Sequence, residues 1–514
     1  MARFTPRARS GTALLSTVLW TVVFLSGFAE AGDRGLIVHE WGTFTALQDE
    51  QGRELPGINV DDEPVPEFVH NLSPFVLSPT LLTRYHWRYR MKSVPRRHPH
   101  VTLRLETPVV YFYPPEGAGK SLTVDVDVRF RGGWLSEFYP HAQAQAPGLE
   151  GGRFRFGDLT PKTLSSLTWK DLQIGTDVPG PETDAHVWIA PRQVRSTPVI
   201  NTRGESEQYL FYRGVAHVRA PLRVSTDRYR EELTLRGNFD EVLRVRRSRI
   251  DALWLVDVRP DGRVAYRRVG PLEVGASTEE VLAVVPSDFA ESEFAAENLQ
   301  RLHEDMHGAL VRAGLYDDEA RAMLSTWKRA YFTSPGHRLF FLVPRSWTDH
   351  YLPLEVSREA DIVRVMMGRI ELVTARHREV LRALSEGPIS DGQWVRKIPR
   401  GEPRELFHAG RGDIARFGVE IPADYRKYMD LGRFRNALVL AQERQEPTPS
   451  LTQFIDVYGL GPYRWQPQTA RAGDTPRAAT PAAEPPRVRP PVDLRASRES
   501  GSRGSGGRSP PRPR

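Results

Sequence analysis

The chain has no cysteine among its 514 residues. That removes disulfide scaffolds, thiol nucleophiles and thiolate metal ligands in one step. Lysine is nearly as scarce, with seven among 71 cationic residues, a bias that reflects codon usage before any arginine-specific recognition. Long apolar runs are lacking too. Only Ala13 to Phe28 approaches one, and it is short for a spanning helix. With Arg3, Arg7 and Arg9 before it and Ala29-Glu30-Ala31 after it, residues 1–31 read as a cleaved export signal. The protein is therefore expected in the periplasm, outside the cell or at its surface, with no transmembrane segment in the mature chain.

A net charge of +7 suggests nucleic acid until the charge is localised. Residues 471–514 carry +6 and residues 1–31 carry +2, which leaves the body between them at −1. A body without net positive charge has no global pull on polyanions, so no nucleic-acid partner is expected. The stretch 466–514 is Pro-, Arg-, Ala- and Ser-rich and almost free of large apolar side chains, the composition of a disordered basic tail.

What is present is an apolar fraction of 39%, enough for a folded body, and a length that favours two domains. The pattern divides it into a β-rich part at 32–285 and an α+β part at 286–465. Leu36 to Thr45 is β-branched and aromatic, hence a strand that puts His39, Trp41 and Thr43 on one face and Glu40 and Phe44 on the other. His39 and Glu40 are thus not expected to serve one site. Leu122, Val124, Val126, Val128 and Phe130 alternate with polar residues as a half-buried strand, expected to pair with Val109–Tyr113. Further strands are expected near Leu167–Ile174, His186–Val194, Tyr209–Val218, Glu232–Arg236 and Leu253–Val258. The last forms a hairpin with Val264–Val269 through Pro260-Asp261-Gly262. This implies α+β as the fold class: a mostly antiparallel, sandwich-like N-terminal part, then a helical pair and a mixed α+β remainder.

The opening HEWGTFT, with LETPVVYFY at 105–113, ESEQYLFYRG at 205–214, GLYDDEARAMLSTW at 314–327, LFFLVPRSWTD at 339–349 and VRVMMGRIELVT at 363–374, resembles a family of large exported bacterial proteins familiar from planctomycetes and related groups. The resemblance implies export and a shared architecture, and it brings no catalytic residues.

Two motifs fail on chemistry. Gly117-Ala118-Gly119-Lys120-Ser121 has Pro114 where a phosphate loop needs its first glycine, and a strand follows where a helix N-terminus is required. His98-Pro99-His100 puts two imidazoles on one side of an extended chain, but Arg96 and Arg97 beside it would repel a cation.

Two candidate sites remain. Trp134, Glu137, Phe138 and Tyr139 cluster aromatic rings with a carboxylate after a glycine turn, a combination that stacks on and hydrogen-bonds sugars. The other is His303-Glu304-Asp305-Met306-His307. On a helix over Ser292–Ala313 it would set His303 and His307 four apart beside the apolar stripe, as zinc ligands, with Glu304 as general base. Leu310 and Ala313 stand where a metzincin has Gly and His, Asp305 adds a charge, and Gly308 weakens the helix. A second helix over Asp317–Tyr331 shows only core spacing. The resulting expectation is a non-catalytic exported protein without a cofactor, binding an envelope polysaccharide or surface component through Trp134, Glu137, Phe138 and Tyr139. The alternative is a zinc-dependent metallohydrolase built on His303, Glu304 and His307.

Overall fold

A computed structural model describes residues 35–461 apart from 61–64, 73–89, 116–120, 151–152, 176–177, 239–247, 275–279 and 398–417. The expected export signal, the basic tail and most of the glycine loop near residue 117 lie outside the described residues.

The fold is organised on β1 (Leu36–Gln48), whose thirteen residues are buried on both faces except at Ile37. An unbroken β-branched and aromatic run suits that position, because a central strand has no wet face to leave polar. Around it, ten strands form one mixed sheet. In chain order its other strands are β2 (His70–Asn71), β3 (Leu103–Leu105), β4 (Val109–Tyr113), β6 (Gly133–Tyr139), β8 (Leu210–Ala216), β9 (Leu253–Val258), β10 (Val264–Val269), β11 (Gly336–Leu342) and β13 (Ala360–Leu372). The order is β2-β6-β8-β3-β1-β13-β11-β9-β10, with β4 beside β1 and β8. β1 and β13 run parallel, from Leu36 opposite Ala360 to Gln48 opposite Leu372. On its other edge β1 meets β4 at Ile37–Trp41 and β3 at Phe44–Ala46. Gly42 lies between these two pairings, where a Cβ would stand 2.9 Å from the Pro108 Cα, so the chain needs glycine to turn from β3 into β4.

A second, six-stranded sheet includes β5 (Leu122–Arg131), β7 (Leu164–Ile174) and β12 (Leu354–Val356). Val124, Val126, Val128 and Phe130 turn inward, as their alternation predicts. They join Val38, Phe44 and Ala46 in a core that continues into the helices α5 (Ala375–Glu386), α6 (Ala423–Asp430), α7 (Arg435–Gln445) and α8 (Pro449–Val457). The opposite face of the central sheet buries Trp41 with Trp188 of α1 (His186–Arg192), Leu302 and Met306 of α2 (Asn298–Arg312) and Ala320 and Met323 of α3 (Asp317–Thr326). Period-two geometry thus sends Val38, Phe44 and Ala46 to one core and Trp41 to the other, with Leu47 near the strand's end joining the first.

The fold is α+β as expected, with three corrections. The boundary placed between 285 and 286 does not separate two sheets: β11 and β13 insert beside β1 in the same sheet as strands from the first half. Val109–Tyr113 pairs with β1 and β8, while Leu122–Arg131 pairs with β7 and β12. Closeness in sequence favours such a hairpin, but β4 is buried on both sides and belongs in the central sheet. His186–Val194 contains the helix α1 in place of a strand; tertiary burial of Val187, Trp188 and Ala190 outweighs their β propensity. At the outer edge, Arg263, Arg267 and Arg268 of β10 and its turn pair with Asp261, Glu291, Glu293 and Asp305, which blunts an otherwise open strand.

Candidate functional site

The two sites expected from sequence are taken apart by the fold. Trp134, Glu137, Phe138 and Tyr139 all lie in β6, and all are buried. Trp134 packs edge-on against Phe154 at 5.3 Å and His98 at 5.4 Å. Tyr139 faces Trp188 at 6.0 Å. Glu137 is consumed by the Arg213 guanidinium and by the Ser93 hydroxyl, which donates to it at 2.7 Å. A ring that stacks on a sugar needs an open face, and these have none; the aromatic cluster is core. His98 belongs to it, and its Nε2 donates to the Gly157 carbonyl at 3.0 Å.

On α2, His303 and His307 flank the buried stripe as expected, but they do not converge on a common point with a third donor. The His303 ring sits 4.3 Å from Phe332, and its Nε2 is buried with no hydrogen bond among the described residues. Burial, and secondarily Lys328, lowers its pKa. His307 Nε2 lies 3.1 Å from Asp317, at the start of α3. Glu304 is exposed and accepts from Gln300 at 2.9 Å. Asp305, the residue that looked intrusive, accepts the indole N–H of Trp254 at 2.8 Å and pairs with Arg268, so the charge inside the motif anchors α2 to the sheet. Among the described residues no group of three or more His, Asp or Glu side chains is arranged to hold a metal ion.

His39 and Glu40 diverge, as their alternation requires. The His39 Nδ1 lies 2.7 Å from Glu319, whose buried carboxylate also accepts from the Tyr113 hydroxyl at 2.9 Å and the Tyr316 amide at 2.7 Å. Glu40 points to the other core and pairs with Arg364. The HEWGTFT stretch is thus a hub of packing between two layers.

Sequence reasoning passed over a cleft of about 720 Å³ at the outer ends of β5, β7 and β8. Its walls come from five segments: Glu54 after β1, Thr102 before β3, Arg131 at the end of β5, the turn from Pro161 to Leu164, and the loop from His217 to Arg219. His350 and Tyr351, closing the helix α4 (Arg345–Tyr351), complete it. Backbone bonds make the walls firm. Gly132, with φ of +78°, turns the chain so that its N–H donates to the Thr163 carbonyl at 2.6 Å while its own carbonyl accepts from the His217 N–H at 2.8 Å. Thr102 Oγ1 donates to the Val218 carbonyl at 3.0 Å and accepts from the Val218 N–H at 3.1 Å.

The charge around this cleft is one-sided. Arg131, Lys162 and Arg219 are exposed, and among the described residues none has an acidic partner within the 4.0 Å of an ion pair. The one carboxylate in the walls is Glu54, which accepts from Asn238 Nδ2 at 3.2 Å. Burial pushes the Glu54 pKa up, against the lowering influence of backbone amides, Arg219 and Gln48. A volume in the usual range of ligand pockets, lined by three cations, two imidazoles and one carboxyl, suits an anionic ligand with hydroxyl groups. No sequence signal marked it, because its cations come from separate segments of an arginine-rich chain.

No family model matches the sequence, and no curated protein is significantly similar to it.

Proposed function

We propose that this is an exported, non-catalytic protein that binds an acidic polysaccharide of the envelope or extracellular matrix in the cleft between Arg131, Lys162 and Arg219. The observation that carries the reading is the trio of exposed cations around a firm pocket of about 720 Å³, none of them in an ion pair among the described residues. Exposed cations outside ion-pair range of a carboxylate are available to a ligand's charge, and three around one opening suit a repeated carboxylate better than a lone anion. Export rests on residues 1–31, with their basic start, apolar run and small-residue cleavage site. Among the described residues no helix is long and apolar enough to cross a membrane.

The test is calorimetric titration with oligogalacturonate, set beside a neutral glucan of the same length. Saturable binding of the acidic oligomer alone, weakened by added salt and by Lys162→Ala with Arg219→Ala, is the expected result. Equal binding of the neutral glucan, or affinity indifferent to both substitutions, would reject the cleft as the site.

A further inference from the structure

The cleft contains a carboxyl group exactly where an anion-binding site has least use for one, and its placement is not accidental to the loop. Glu54 is held by a backbone bridge to Gln48 at the end of β1 and by the Asn238 amide at its Oε1. The titratable and charged groups that share the cleft with it are Arg131 from β5, Lys162 from the turn before β7, His217 and Arg219 from the loop after β8, and His350 and Tyr351 from α4. An ionised Glu54 cancels one of three cations and repels an incoming carboxylate. A protonated Glu54 does neither, and presents an O–H donor to it.

We infer that Glu54 sets the pH range over which the cleft accepts its ligand, binding acidic sugars tightly when its carboxyl is protonated and releasing them when it ionises. The inference rests on the reading of the cleft as an anion site. Burial supports it by holding the carboxyl in its neutral form to a higher pH than a solvated glutamate. His217, fixed through Nδ1 to the His100 carbonyl at 2.8 Å, and His350 also face the cleft, so the two imidazoles are the rival source of any pH dependence.

The experiment is titration of the full chain with tetragalacturonate from about pH 5 to pH 8, where the probe's own carboxylates stay ionised. Wild type is compared with Glu54→Gln, which keeps the Oε1 acceptor for Asn238 and cannot ionise. Melting temperatures of the two confirm that the variant is folded. For wild type the expected result is an affinity that falls towards tenfold per pH unit once Glu54 ionises, the limit for one linked proton, as in any single-site linkage, roughly a factor of ten. For Glu54→Gln the expected result is tighter binding at the alkaline end and a profile nearly flat in pH. A variant that keeps the wild-type slope would assign the dependence to the imidazoles and overturn the role of Glu54 while leaving the cleft as the site. No binding by either protein at any pH would overturn both readings.

Discussion

The Arg364 Nε lies 2.6 Å from a carboxylate oxygen of Glu40, and both side chains are almost wholly buried. Arg364 also donates to Asp349 at 2.9 Å and to the Leu352 carbonyl at 2.6 Å, and the Tyr212 hydroxyl donates to Glu40. The two residues face each other across the parallel pair β1 and β13, in register. The bridge therefore joins segments more than three hundred residues apart at the centre of the sheet.

Breaking that bridge from one side should be severe. Glu40→Gln leaves the guanidinium buried with its main counter-charge gone, at a cost of about 3–5 kcal/mol. Replacing both partners, as Glu40→Met with Arg364→Met, should cost less than either single change, because the desolvation of two charges is removed with their attraction. Urea unfolding of the four proteins checks this. Additive losses in the double variant would show that the two side chains act independently.

Acid should loosen the core around His98. Burial, the largest influence, pushes its imidazole from the ordinary 6.5 down to about 4. As pH falls below about 6.5 the unfolded chain takes up a proton that the native ring refuses until about pH 4. The stability contributed by the neutral ring is complete above that window and is lost as pH falls through it, to a total of about 3 kcal/mol. Unfolding free energies measured from pH 7 to pH 4 should decline, and His98→Gln should remove part of the slope. An unchanged slope in the variant would place the acid sensitivity elsewhere.

The sequence made the local order of this fold legible and its long-range pairing obscure. Alternation along Leu122–Phe130 predicted which side chains turn inward, and along β1 it predicted that His39 and Glu40 take opposite faces, because period two is fixed by strand geometry. Apolar spacing on Leu302, Met306 and Leu310 predicted the buried face of α2 for the same kind of reason. Nothing local in Leu36–Gln48 names Ala360–Leu372 as its parallel partner, so the division at residue 285 followed from counting elements in order. The candidate sites failed in a related way. Trp134 and Tyr139 have the same residue types whether they cap a sheet or fill it, and burial alone decides. The cleft was hidden because Arg131, Lys162 and Arg219 become neighbours only through the turns that bring the ends of β5, β7 and β8 together.

The histidines of α2 should not retain zinc. His303 rests against Phe332, His307 is engaged by Asp317, and Glu304 points to solvent. Protein purified without chelator is expected to carry no zinc that depends on these imidazoles, as read by elemental mass spectrometry on wild type and on His303→Ala with His307→Ala. About one zinc per chain that disappears in the variant would restore the hydrolase reading. The His307–Asp317 pair is partly exposed, so His307→Ala alone should cost no more than about 1 kcal/mol.

Stability and binding should separate cleanly between the abandoned aromatic site and the cleft. Trp134 is 1% exposed and packed among His98, Phe154 and Phe156, so Trp134→Ala should cost about 3–5 kcal/mol through the cavity it leaves. Its indole N–H is buried with no acceptor among the described residues, so Trp134→Phe gives up volume but also removes an unsatisfied donor, and should cost markedly less. Either variant that still folds should bind oligogalacturonate as wild type does, because β6 contributes no residue to the cleft walls. Lys162→Ala and Arg219→Ala should behave in the opposite way. Both side chains are exposed and, among the described residues, outside any ion pair, so their loss should move stability by no more than about 0.5 kcal/mol while weakening the ligand. Thermal melts and titrations on the same four variants decide the matter. If Trp134→Phe abolished binding in a protein of near-native melting temperature, the ligand would have to reach β6, and the cleft would lose its claim.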